Sequence, residues 1–202
     1  MDVRKAIRFL AEPRVDEERV IERAIEQGVI IVPFPPDSHL VKGPAGEFFF
    51  EGLNIGSECF CNDPLGMLNI TKAWRLLYEI GEFAPRRLPI DEPLLGQLAG
   101  IDIEERTLRK MTAERRSMPI LLALDKSNTA YLIDGAHRLF SRAQHGKKWI
   151  DAFLLDSRAL AFISAKLWQL NDDGTRREID TTKGHWSVFG AGSPSGASLL
   201  SV

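Results

Sequence analysis

The stretch Leu132-Ile133-Asp134-Gly135-Ala136-His137-Arg138-Leu139-Phe140 reads as the end of a buried strand that turns at once into a helix. Gly135 permits the backbone angles of a sharp turn. Beyond it, Leu139, Phe140 and Ala143 fall on one helix face and are expected to meet a core. His137, Arg138, Ser141 and Arg142 fall on the other, with Arg138 and Arg142 four residues apart as surface neighbours. Helices favour acids in their first turn, and a cation there is unfavourable by about 0.3–1 kcal/mol. Two readings account for His137 and Arg138. In one, an anion such as a phosphate sits on the backbone N–H groups of the helix start and pairs with Arg138, while small Gly135 and Ala136 let it approach. Asp134 then helps coordinate a metal ion or orients a hydroxyl nucleophile. In the other, Asp134 is only a helix cap and both basic side chains point into water.

The flanking sequence sets this turn in a regular unit. "RRLPID" reads as a short strand and "DIEERTLRKMTAE" as a polar helix. "MPILLALD" is a continuous apolar run, as in a strand covered on both faces. "KSN" makes a turn into the partner strand "TAYLID". The helix "AHRLFSRAQH" leads through Gly146 to the strand "WIDAFLLD", and "SRALAFISAKLWQL" reads as a further amphipathic helix capped by Asp156 or Ser157. Upstream, two short helices break near Pro13. The second carries the stripe Val20, Ile21, Ala24, Ile25, with Asp16 capping its start and Gly28 its end. "VIIVPFPP" is a strand, "HLVKGPAGEFFFEG" a hairpin, and "ITKAWRLLYEIGEF" a helix with Ala73, Leu76, Leu77 and Ile80 on one face. The division expected is an N-terminal α/β extension over 1–82, a mixed-sheet α+β domain over 83–170, and a polar, then Gly/Ser-rich tail over 171–202.

Residues 87–156 resemble the ParB/sulfiredoxin superfamily in the order of their elements: a Leu-Pro-Ile strand, a helix, Met-Pro-Ile-Leu, a hairpin, the Asp-Gly-Ala-His-Arg motif, a helix and a closing strand. The resemblance implies that fold, and a nucleotide whose phosphates are gripped by the His137-Arg138 pair. Ala136 stands where sulfiredoxins carry their redox cysteine, so it implies no sulfinic acid reduction. Partitioning proteins of the superfamily bind CTP and continue into a helix-turn-helix DNA reader, which this sequence does not suggest. The motif is most similar to the Asp-Gly-His-His/Thr-Arg type of ATP- or ADP-dependent free serine kinases, with Ala136 replacing the first histidine. That likeness implies phosphoryl transfer or nucleotide hydrolysis with ATP or another nucleotide and Mg²⁺. Asp134, His137 and Glu92 (or Asp91) are the catalytic candidates, and Gly135, Ala136, His137, Arg138 and Arg142 the nucleotide-binding ones. Asp134 is the metal-ligand candidate; a small-molecule acceptor is unassigned.

Composition bounds these readings. In 202 residues, 44% apolar content supports a core, and a net charge of −2 argues against a surface built to coat nucleic acid. A ParB-like nuclease or DNA-bound regulator would instead use Arg86-Arg87, Arg106, Arg109-Lys110, Arg115-Arg116 and Lys147-Lys148, although Glu82, Glu104, Glu105 and Glu114 intersperse them. A third reading is a non-catalytic binding protein of the same fold, to which Ala136 gives weight. The only cysteines, Cys59 and Cys61, are too close in sequence for an unstrained bridge and are expected reduced in a strand, which points to the cytoplasm. No signal peptide or membrane span is read. His145, at a helix end, and Trp149, Trp168 and Trp186 are read as structural, with Trp186 an alternative ligand cover.

Overall fold

The computed structural model describes residues 3–12, 16–81 and 84–181. Pro13, Glu82, Trp186 and the Gly/Ser-rich end of the tail lie outside them. The fold is α+β, and its described residues form two compact units. One comprises the described residues of 1–10 with those of 74–161. The other comprises those of 11–73 with those of 162–181. These units do not follow the linear division at 82 and 170.

The first unit is built on a four-stranded sheet of order β6-β9-β7-β8. β6 (Arg86–Pro89) and β8 (Ala130–Asp134) are its edges, and β7 (Ile120–Leu124) pairs parallel to β9 (Trp149–Leu155). Every other pairing is antiparallel, so the sheet is mixed, as expected. The apolar run of β7 is buried from Ile120 to Ala123 because this strand is interior and covered on both faces. The β7–β8 turn closes on Asp125, whose carboxylate accepts the N–H groups of Ser127 and Thr129. α7 (Ala136–Gln144) crosses back to β9. Its Leu139 is fully buried against Ile120, Leu122, Leu132, Ile150 and Ala152, a burial worth about 1.5–3 kcal/mol. Before β7 lie α4 (Glu92–Gly96), α5 (Glu105–Lys110) and α6 (Ala113–Ser117). The single polar helix expected over "DIEERTLRKMTAE" is therefore two. Buried Met111 leaves the helical path, and Thr112 starts a new helix by accepting the Arg115 N–H with its hydroxyl.

The second unit holds the larger sheet, β1-β2-β3-β10-β5-β4, with β11 paired to β10. Its strands are Ile30–Phe34, Ser38–Gly43, Gly46–Glu51, Cys59–Asn62 and Gly66–Asn69 for β1 to β5, then Ser164–Leu170 for β10 and Arg176–Glu178 for β11. All its pairings are antiparallel, so the N-terminal part is not an α/β extension. The Gly-Pro-Ala-Gly hairpin forms as read between β2 and β3. The expected helix over 157–170 stops at Ile163: α8 (Ser157–Ile163) gives way to β10. In β10, Ala165 and Leu167 are buried while Ser164 and Lys166 are exposed, an alternation of two that suits a strand between β3 and β5. β11 is likewise structure where a polar tail was expected; it pairs Glu178 opposite Trp168.

α1 (Val3–Ala11), α2 (Glu17–Glu26) and α3 (Ile70–Ile80) complete the eight helices of the described residues. Asp16 caps α2 through the Glu18 N–H, as read. The stripes are narrower than expected: Val20 and Ala24 are buried but Ile25 is exposed, and on α3 Ala73, Trp74 and Leu77 are buried but Ile80 is exposed. No helix among the described residues is long and apolar enough to cross a membrane.

Candidate functional site

The site is the turn from β8 into α7. Gly135 is buried with φ 103°, and a Cβ built there would stand 2.6 Å from Ile120 Cγ2 and 2.9 Å from the Arg138 guanidinium. Backbone and space both demand glycine. Gly135 is also the N-cap of α7, and having no side chain it caps nothing. The Leu139 N–H closes onto the Gly135 carbonyl at 2.9 Å, so the backbone N–H groups of residues 136–138 precede the first helical bond.

Asp134 does not cap the helix. Its Oδ2 accepts the indole N–H of Trp74 at 2.7 Å and a guanidinium N–H of Arg138 at 3.1 Å. Arg138 does not point into water either. It was placed with Ser141 on the face away from the core, yet the structure buries both, Arg138 to 3% exposure. The ion pair with Asp134 joins two side chains that are 4% and 14% exposed. It compensates the charge that looked misplaced at the helix start. One group stays unsatisfied: Arg138 Nε is buried with no hydrogen-bond partner among the described residues. Leaving such a charge-bearing donor unmade costs at least about 1–3 kcal/mol.

His137 is half-buried, and its Nε2 accepts the backbone N–H of Glu104 at 3.1 Å. An acceptor nitrogen carries no proton, so the neutral ring is protonated on Nδ1. Burial pushes its pKa below the ordinary value; the nearby Arg115 and Arg138 add to this, and Glu104 and Asp102 oppose it. The imidazole is thus neutral at pH 7 and adds no charge to the helix start. It instead ties the beginning of α5 to α7, which α6 reinforces through Arg116 Nε donating to Ser141 Oγ at 2.8 Å.

The remaining candidates are more dispersed. Ala136 is half-buried against the small core. Arg142 sits one turn further along α7 and donates twice to the Trp149 carbonyl, at 2.7 and 3.0 Å. Asp91 caps α4 through the Leu94 N–H, and Glu92 is exposed in the first turn of that helix. α4 is followed by Gln97, whose Oε1 accepts the Leu132 N–H of β8 at 3.3 Å. No hydrogen bond or ion pair among the described residues joins Glu92 to the motif. No group of three or more His, Cys, Asp or Glu that could hold a metal ion occurs among the described residues. His145 donates from Nδ1 to the Ser141 carbonyl at the end of α7, a structural role as read. In the basic set, Arg109 pairs with Glu105 at 2.6 Å and Glu114 with Lys5 at 3.9 Å.

Trp74 is the residue that the sequence reading passed over. It is fully buried, with its ring edge-on to Phe153 and its N–H on a carboxylate 60 positions away. The available signal was chemical: a tryptophan on the apolar face of a helix needs an acceptor for its N–H. Comparison with protein-family models, with curated proteins and with solved structures gives no match to this chain.

Proposed function

We propose that the unit containing residues 84–161 is a ParB/sulfiredoxin-like domain that binds a nucleotide, with a phosphate seated at the start of α7. The observation that carries this reading is the buried Arg138 guanidinium, whose Nε has no partner, one residue inside a helix start that no side chain caps. Apart from the Asp134 carboxylate already paired to Arg138, the groups gathered there are donors: backbone N–H groups, Arg138 Nε–H and the Nδ1–H of neutral His137. A phosphate, with several acceptor oxygens and negative charge, complements that set. The order strand, helix, hairpin, turn, helix, strand supports the superfamily assignment, which in turn supplies the nucleotide.

The chemistry this site would support is phosphoryl transfer or nucleotide hydrolysis, resting on position and charge neutralisation, with Asp134 the acid that would hold Mg²⁺ and the metal supplying charge neutralisation. In it His137 orients a phosphate as a neutral donor, and Asp134 and Glu92 are the acids available for metal or proton. A specific observation favours a second reading, a binding protein without turnover: Asp134 Oδ2 is already shared between Trp74 and Arg138. Calorimetric titration of the chain with ATP, ADP and CTP, with and without Mg²⁺, separates these. Binding followed by phosphate release or transfer supports the enzyme, and binding with no turnover across hydroxyl acceptors supports the second reading. A wild-type chain that binds none of the three nucleotides sinks both.

A further inference from the structure

We infer that the β4–β5 hairpin is a binding site for a thiophilic monovalent d¹⁰ cation of the Cu(I) class, held by Cys59, Cys61 and Met67. Side chains alternate along a strand, so Cys59 and Cys61 project from the same face of β4. The antiparallel register sets Met67 of β5 directly opposite Cys61. Directly paired residues share a face with Cβ atoms about 4.5–5.5 Å apart, so the thioether joins the two thiols. Packing agrees: both cysteines lie against the core cluster that contains Met67. β4 is the outer strand of its sheet and its cysteines are only partly buried, whereas Met67 is 2% exposed. The site therefore has an open side and a sulfur floor.

The ligand class follows from the donors. Residues two apart on one strand have Cα atoms about 6.6 Å apart with parallel side chains, which sets their Cβ atoms beyond the spacing of about 3.5–4.5 Å that a disulfide needs. Zinc takes four N, S or O ligands in a tetrahedron, and the described residues hold no cluster of three His, Cys, Asp or Glu. Two thiolates with a thioether are soft ligands and suit Cu(I). A trigonal site with metal–sulfur bonds of about 2.3 Å wants sulfurs about 4 Å apart, which three side chains on one face of paired strands can reach by rotating about their Cα–Cβ bonds. Binding forms two thiolate–copper bonds and one thioether–copper bond. The displaced thiol protons pass to solvent, and no electron is transferred.

The test is an anaerobic titration of the reduced full chain with Cu(I) against a chromogenic Cu(I) chelator. The expected result is one equivalent withdrawn by the wild type and none by C59S or C61S. Met67→Leu preserves packing, so it is expected to keep the wild-type melting temperature while weakening Cu(I) binding by at least about tenfold, about 1.4 kcal/mol. X-ray absorption of the loaded chain is expected to show sulfur neighbours only. A wild type that withdraws no copper overturns the inference, as does a Met67→Leu chain, folded as the wild type, that binds Cu(I) equally well.

Discussion

In the larger sheet's unit the buried polar side chains are neutral, and most end on backbone. His39 Nδ1–H donates to the Leu53 carbonyl at 2.7 Å, Asn69 bridges the Gly52 carbonyl and the Lys72 N–H, and Thr71 Oγ1 accepts the Glu58 N–H. The orphan atom there is a neutral amide oxygen, Asn62 Oδ1. In the smaller sheet's unit neutral Ser141 is joined by a buried charged guanidinium, that of Arg138, paired to a carboxylate and with its Nε unanswered among the described residues. The contrast separates architecture from a site. Polar groups that serve only the fold mostly find partners within it, since an unmade bond costs stability. A charge placed in the interior beside an uncapped helix start, and left with a spare donor, is the feature on which the proposed phosphate site rests.

The largest expected effect tests that contrast by removing one partner in each unit. Asp134→Ala leaves Arg138 buried without its counter-charge and Trp74 without its acceptor, and is expected to cost about 3–5 kcal/mol. Asn69→Ala removes a neutral hub and is expected to cost about 1–3 kcal/mol. Urea unfolding of both variants checks this, and an Asn69→Ala loss larger than that of Asp134→Ala would break the comparison.

A smaller effect comes from pH. Burial lowers the His39 pKa from 6.5 to about 4, although its bond to Leu53 pulls the other way. The unfolded chain therefore binds this proton more readily than the folded one. The stabilisation is complete above pH 6.5, declines as pH falls, and is gone near pH 4, an amount of about 3 kcal/mol. Stability measured at pH 7 and pH 4.5 is expected to fall accordingly. His39→Asn, which keeps a donor for the Leu53 carbonyl, is expected to flatten that dependence; an unchanged slope would assign it elsewhere.

What could be read from sequence was local. The unbroken apolar run of β7, the Asp-Gly turn and the helix after it are properties of adjacent residues, and they recur in the structure as expected. The fate of Asp134 was not local, because its indole partner lies 60 positions upstream. Nor was β10. Its seven residues carry a pattern that short helices share, and what makes them a strand is the edge of β3, reached by pairings such as Trp168 with Phe49. Nothing in "LIDGAHRLF" itself shows that the acid before the turn, not water, receives the arginine.

The claim that the start of α7 is an anion site is tested most directly by Ala136→Asp. A carboxylate in the first turn of a helix favours the helix, which offsets part of the cost of charging a half-buried position, so this variant is expected to fold, as its thermal unfolding checks. It also puts a negative charge where the phosphate would sit. In calorimetric titration with ATP and Mg²⁺, the wild type is expected to bind and Ala136→Asp to bind at least about tenfold more weakly. Equal affinity of the two chains would contradict the account.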